Sequence, residues 1–367
     1  MTLDVDPESA AILERYGFDE TLFESLRARV ADGTLSPESN VVRGTLEPPT
    51  ADDLTPLPEP EIGAWDEAHR VGVEALRAGR VAQVVLGGGM ATRFGSVVKG
   101  AVEALDGKSF LEWKLGETAR LMDALGAEVP IALMTSFATD ELTRAHVADS
   151  KLPPPLWFSQ SVSLRLNRDG SLFLEEDGSA SPYAPGHGDL LRAMRGSGVL
   201  ERLRELGVTT VCVSNVDNLG ARIDPVVVGA HVLGERPLTV EVTEKGDDVG
   251  GAPVRVDGRL RLVEGPCFPG SFDQSSLRVV NTNTATIALD TLAVEHELTW
   301  LYIEKHVDDD VAVQLEHLYH ELSATVPSTY LVVPRHGPRG RFFPIKTPDD
   351  LTRARPVLRE LLAATPT

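Results

Sequence analysis

The chain has 367 residues, with 35 Lys plus Arg against 55 Asp plus Glu, a net charge of −20 and 42% hydrophobic positions. That composition specifies a folded chain and excludes disorder, and the length suits roughly two domains of about 150 residues or one large α/β domain with appendages. The negative balance argues against a nucleic-acid partner, which is held through clustered Lys and Arg, so an anionic ligand must be gripped locally by a few cations and backbone amides.

The N-terminus, MTLDVDPESAAILERYG, is acidic, and no run approaches the roughly 20 apolar residues of a membrane span. Two cysteines, Cys212 and Cys267, form neither a disulfide framework nor a metal cluster. A reducing cytoplasm and no membrane association are therefore expected.

Two short helices open the chain: Asp6 before Pro7 is a cap signal, and Asp19 precedes Leu22, Phe23, Leu26 and Val30 at helical spacing, with Gly33 as the stop. Pro37, Pro48, Pro49, Pro56, Pro58 and Pro60 bar a long helix between residues 34 and 63, which reads as an extended surface connection. A helix over 65–78 then runs into a buried strand over 81–86. Helices over 110–125 and 139–148 alternate with a strand over 131–135, and a helix over 190–206, a strand over 209–213 and a helix over 225–233 follow. Alternating strands and helices predict a mostly parallel sheet with helices on both faces. Residues 238–287 alternate like strands broken by Gly and Asp, which predicts a small mixed or antiparallel extension.

Ligands in such sheets bind beyond the carboxyl ends of the strands, which directs attention to the loop after the first strand, VVLGGGMATRFGSVVKG. Gly87, Gly88 and Gly89 let the backbone approach a ligand, and their amides suit an anion. Arg93 and Lys99 follow within the same loop. Neither the phosphate-binding Gly-Lys-Ser/Thr pattern nor the dinucleotide G-x-G-x-x-G spacing is present.

The stretch AHRVGVEALRAGRVAQVVLGGGMATRFGSVVKG resembles the opening of the UDP-sugar pyrophosphorylase family. The resemblance continues in order through GKSFLEWKL, ALMTSFATDELT, FSQ, PGHGDLLRAM, VSNVDNLGARIDPVVVG, EVTEKGDDVGGAPV, LVEG, NTNTATIAL and FFPIKTPDDL, about residues 68 to 351. It implies a Rossmann-like nucleotidyltransferase sheet, similar to glycosyltransferases of the A type, in a catalytic domain over 65–351. N-terminal helices and a proline-rich linker would occupy 1–64, and a C-terminal helix and tail 352–367. The implied reaction joins UTP to a sugar 1-phosphate, glucose 1-phosphate ahead of an N-acetylhexosamine 1-phosphate, and releases pyrophosphate with the help of Mg2+. A monomer or small homo-oligomer is expected.

Residue by residue, the resemblance assigns Gly87, Gly88, Gly89, Thr92, Gln160 and Gly188 to the nucleotide, with Gln160 at the uracil edge. Arg93, Lys99 and Lys346 are the catalytic cations. His187, Asp189, Asn218, Lys245, Gly251, Glu264 and Asn283 fall to the sugar phosphate, with Gly250 beside Gly251, and Asp217 falls to the metal. Two positions depart from the pattern: Ala91 stands for a glycine and Val98 for a proline. A methyl at Ala91 is strained if that residue takes a positive φ. Two other readings exist, a catalytically weak sugar-nucleotide sensor and an NAD-linked oxidoreductase. The joint presence of Arg93, Lys99, Asp217 and Lys346 weighs against the first, and the glycine spacing against the second.

Overall fold

The computed structural model describes residues 3, 5–91, 97–150, 152, 154–307 and 309–363. Eight strands form the central sheet: β1 (Leu54–Pro56), β2 (Val81–Leu86), β3 (Ile131–Thr135), β4 (Leu156–Ser159), β5 (Thr210–Asn215), β6 (Leu238–Glu244), β7 (Val279–Ala288) and β8 (Ser328–Val332). Their spatial order is β1-β8-β6-β7-β5-β2-β3-β4. Pairing is parallel along β5-β2-β3-β4 and along β6-β8-β1, whereas β7 runs antiparallel to both β5 and β6. One reversed strand thus joins two parallel halves.

Side chains of β2 show why the sheet needs two covered faces. Ala82, Val84 and Leu86 enter one core, shared with Leu190, Leu191 and Met194 of α6 (Leu190–Gly196) and with Leu200 and Leu203. Val85 enters the opposite core with Phe110, Leu111 and Leu115. This alternation is the period of a strand buried on both sides.

The helices are α1 (Pro7–Arg15), α2 (Glu20–Ala31), α3 (Gly63–Arg77), α4 (Phe110–Leu125), α5 (Asp140–Asp149), α6 (Leu190–Gly196), α7 (Val199–Glu205), α8 (Pro225–Leu233), α9 (Leu289–Ala293) and α10 (Pro348–Ala363). Asp6 and Asp19 cap α1 and α2 as anticipated, each accepting a backbone N–H from its first turn. Ser109 and Glu112 form a reciprocal capping box at α4. The single helix expected over 190–206 is instead α6 and α7, because Gly198 adopts φ 78° between them. The proline-rich stretch holds no long helix, only 3₁₀ turns at Pro37–Asn40 and Ala51–Asp53, and it contributes the edge strand β1 and buries Leu57.

The expected extension over 238–287 divides. Its two ends, β6 and β7, belong to the central sheet, while Ala252–Val256 and Arg259–Val263 form a hairpin outside it that pairs with Leu46–Glu47. A second hairpin, Leu301–Val307 with Asp310–Glu316, shares a core with α1 and α2 through Leu13, Phe23, Tyr302 and Val313.

Helices α3 and α8 pack at backbone contact. A Cβ built on Gly72 would lie 1.8 Å from the Pro225 carbonyl oxygen, and one on Gly229 would lie 1.7 Å from that of Ala68. Each glycine admits the other helix, so Gly229→Ala must push them apart. We expect a loss of about 1–3 kcal/mol, read as a lower midpoint in urea with an unchanged denaturant slope; a midpoint equal to wild type would refute the close-packing argument.

Candidate active site

Strands β2, β3, β4 and β5 run in parallel, so the loops leaving their carboxyl ends lie side by side. They wall a cleft of about 320 Å³ lined by Gly88, Gly89, Lys99, Gln160, His187, Asn215, Asp217, Asn283 and Glu316, among others. Seven of the residues singled out from the sequence therefore meet in one place.

The glycines divide the work. Gly87 N–H donates to the Met134 carbonyl at 2.8 Å and prolongs the β2–β3 ladder. A Cβ at Gly88 would come within 2.4 Å of Gln160 Nε2, so glycine is needed for that amide to lie over the loop. Gly89 meets nothing within 4 Å and opens onto the cleft. Gln160 is buried, its N–H bonded to the Thr135 carbonyl, and its Oε1 has no partner among the described residues. An orphaned buried acceptor facing a cleft is completed by a ligand donor.

Thr92 and Arg93 lie outside the described residues. On either side, Met90–Ala91 pairs antiparallel with Val97–Val98, so the backbone at Ala91 is extended and the left-handed strain considered from sequence does not arise. Val98 fills core space.

Lys99, in the turn after this ladder, forms an ion pair with the carboxylate of Asp217, which follows β5; their side chains are 24% and 16% exposed. A cation and an anion thus face each other across the two loops that a phosphate chain would enter. Among the described residues no group of three or more His, Cys, Asp or Glu side chains converges to hold a metal. Magnesium, however, commonly takes one or two carboxylates together with substrate phosphates and water, and the lone carboxylate of Asp217 fits that share.

His187 projects from the turn before α6. Its Nδ1 accepts the Tyr319 N–H at 3.4 Å, and burial lowers its pKa to about 4. The ring is therefore neutral at pH 7, with its proton on Nε2 and available to donate. Asn283 sits at φ 57° where the β6–β7 register shifts between Glu241 and Val242. This bulge turns its amide toward the cleft, where Nδ2 donates to Asn215 Oδ1 at 2.8 Å.

Other positions are placed differently. Gly188 is buried, its N–H bonded to the His317 carbonyl at 2.8 Å, and a Cβ there would overlap the His317 backbone, so it packs the turn rather than facing a ligand. Asp189 is 1% exposed, accepts the Ser161 N–H at 2.5 Å, and is raised in pKa by burial. It ties the His187 turn to the residue after Gln160. Asn218 is also buried and bonds the Arg341 carbonyl and the Phe343 N–H. Lys245 Nζ donates to the Gln274 carbonyl. Lys346 is exposed in the capping turn of α10, its N–H bonded to Asp350.

Gly251 packs on Glu264, whose carboxyl would lie 2.9 Å from a Cβ there. Glu264 lines a separate cavity of about 140 Å³ with Arg261 and Glu321. Asn215 and Glu316 line the cleft without having been singled out; Glu316 accepts from Gln314 Nε2 and lies 3.8 Å from Lys305 Nζ. The match of QLE to no catalytic pattern left Glu316 invisible, whereas Asn215, two residues before Asp217, was within reach of the strand-end argument.

Comparison with known proteins decides the family. Residues 22–362 match the family model described as UTP–glucose-1-phosphate uridylyltransferase. The chain belongs to that family. A uridylyltransferase of Encephalitozoon cuniculi bearing this name is 32% identical over 292 residues, 76% of this chain and 58% of that protein. A probable one of Schizosaccharomyces pombe is 30% identical, over 82% of this chain and 63% of its own. The chain thus spans about 60% of the length of the curated relatives it matches.

Solved structures agree in fold. UDP-glucose pyrophosphorylase of Leishmania major, as a V402W mutant, superposes with a TM-score of 0.72 at 24% identity, covering 96% of this chain and 80% of that one. A uridine diphosphate N-acetylglucosamine pyrophosphorylase of Trypanosoma brucei gives 0.77 at 20% identity, covering 95% and 79%. The UDP-sugar pyrophosphorylase resemblance and its α/β nucleotidyltransferase fold are thereby established.

Burial, reinforced by Glu321, raises the Glu264 carboxyl from its ordinary value near 4.5 to about 7. A raised carboxyl stabilises the fold fully below its unfolded value, and that contribution is lost as pH climbs through 7. Glu264→Gln should therefore gain melting temperature relative to wild type on going from pH 5 to pH 8. An identical difference at both pH values would mean that Glu264 is ionised in both.

Proposed function

We propose that the protein transfers the uridylyl group of UTP to a sugar 1-phosphate, most directly glucose 1-phosphate, giving UDP-sugar and pyrophosphate. The observation that carries this reading is the convergence of the glycine loop, the Gln160 acceptor and the Lys99–Asp217 pair in one cleft of a chain of this family. Glucose 1-phosphate is favoured over an N-acetylhexosamine phosphate because the curated relatives of about 30% identity are named for glucose 1-phosphate.

In this mechanism a sugar phosphate oxygen attacks the α-phosphorus in line; that P–O bond forms as the bond from the α-phosphorus to the β-phosphate oxygen breaks. Little covalent assistance is required, so positioning and charge compensation supply the rate. The Gly88 and Gly89 amides and Lys99 take the phosphates, with Thr92 and Arg93 completing that loop. Gln160 reads the uracil edge. His187, as a neutral Nε2–H donor, and Asn283 orient the sugar phosphate, while Asp189 holds the turn that carries His187 and Asn218 the turn that carries Asp217. Asp217 would hold magnesium together with phosphate oxygens, and the ion when bound supplies charge neutralisation there. For Lys346 to reach the sugar phosphate, its exposed turn has to move toward the cleft; Glu264, Gly251 and Lys245 lie outside the cleft lining and take no step in this mechanism. A reducing cytoplasm suits the free thiols Cys212 and Cys267, and no helix among the described residues is long and apolar enough to cross a membrane.

Pyrophosphate release from UTP, assayed with glucose 1-phosphate, N-acetylglucosamine 1-phosphate and no acceptor, tests this reading. Release dependent on glucose 1-phosphate is expected, and its absence with every acceptor would overturn the assignment. Asp217→Asn should lower kcat by about 10²-fold or more with the melting temperature retained, because a neutral amide holds the ion poorly. A fully active variant would remove Asp217 from the metal role.

A further inference from the structure

One cation buried behind the cleft has no part in the chemistry above. Lys114 lies on the core face of α4 between Leu111 and Leu115, a position where leucine or methionine would serve packing, and it is 1% exposed. Burying an ammonium is costly unless strong hydrogen bonds replace water. Its Nζ finds two, donating to the carbonyl oxygens of Asn218 at 2.7 Å and Ala221 at 2.6 Å. Both acceptors belong to the turn that follows Asp217. The turn is closed on itself by Ala221 N–H to the Asn218 carbonyl at 3.2 Å, so one carbonyl serves both the turn and the lysine.

The opposite side of that turn is equally constrained. Asn218 Nδ2 donates to the Arg341 carbonyl at 3.1 Å and its Oδ1 accepts the Phe343 N–H at 3.2 Å. A Cβ at Gly220 would sit 2.7 Å from the Phe343 ring. Arg341 is itself fixed by a two-point pair with Glu241, at 2.6 and 2.8 Å. Residues 217–221 are therefore pinned between α4 and the 341–343 segment, and Lys114 is the pin on the α4 side. With Arg341 and Arg222 opposing its charge and Asp217 and Glu241 favouring it, burial brings its pKa down to about 7.

We propose that Lys114 is a positioning residue: its hydrogen bonds to the Asn218 and Ala221 carbonyls fix the turn that places the Asp217 carboxylate opposite Lys99. The catalytic consequence rests on the uridylyl-transfer reading; the mechanical one does not. Removing the ammonium leaves the Ala221 carbonyl without a donor and the Asn218 carbonyl with the Ala221 N–H alone, and the turn relaxes toward water.

The test combines amide exchange with kinetics on the full chain. In Lys114→Met, exchange at amides of residues 217–221 should quicken by about tenfold or more, while amides of β2 keep their wild-type rates. With UTP and glucose 1-phosphate, kcat should fall by about tenfold or more, and the same substitution placed on Asp217→Asn should cost far less, since the group it positions is already gone. Unchanged exchange at 217–221, or losses that multiply in the double variant, would overturn the proposal. If the methionine variant does not fold, Lys114→Gln, which keeps a donor for one carbonyl, should give an intermediate exchange rate and kcat; wild-type values for both would equally overturn it. A wild-type chain that releases no pyrophosphate refutes the uridylyl-transfer reading alone, because the exchange measurement still judges the pin.

Discussion

The Lys99–Asp217 ion pair is the interaction around which the cleft is organised. A chain with a net charge of −20 repels polyanions at long range, so an anionic ligand can be admitted only where a cation is focused by low-dielectric walls. Lys99 is that cation among the described residues of the cleft lining, and in the free chain it is held in place by a carboxylate. On the proposed uridylyl-transfer reading, a ligand phosphate would compete for the ammonium, and a divalent ion would compete for the carboxylate. Arrival of both would exchange one ion pair for two and keep each charge compensated.

The fold makes this possible by register rather than by local sequence. β2 and β5 are parallel neighbours, with Leu86 opposite Asn215, so the glycine loop and the Asp217 turn leave the sheet at the same level. β7 passes on the other side of β5 and, through its bulge, turns Asn283 toward Asn215. Strain at Asn283 is tolerated because Asn215 and the Tyr319 hydroxyl hold its side chain and carbonyl. Behind these groups the buried cations Lys114 and Arg341 are bonded to backbone carbonyls and to Glu241, so the turns rest on a polar layer of fixed geometry.

Much of the fold was legible because its central strands are short apolar runs between turn residues: Val81–Leu86 and Ile131–Thr135 have the predicted limits. Periodicity failed where a single backbone conformation decides the outcome. The apolar spacing of 190–206 is continuous, yet Gly198 breaks it into two helices. The strand β1 was hidden among prolines, since an edge strand paired on one side tolerates Pro56. Within the cleft, Gly88, Gly89 and Lys99 could be named from the loop after β2, and Gln160, His187, Asp217 and Asn283 from the family resemblance of the sequence. Glu316 could not, because a distant hairpin brings it there. Motif position also cannot separate a side chain that faces a ligand from one that braces it, as Asp189 and Asn218 illustrate.

Direct titration of UTP in the presence of magnesium, comparing wild type with Lys99→Met by calorimetry, probes the central claim without requiring turnover. The exchange of ion pairs predicts that the variant binds UTP about tenfold or more weakly, and that wild-type affinity falls with added salt more steeply than the variant's does. Equal affinities and equal salt dependence would show that the nucleotide does not take Lys99 from Asp217, and would contradict the account.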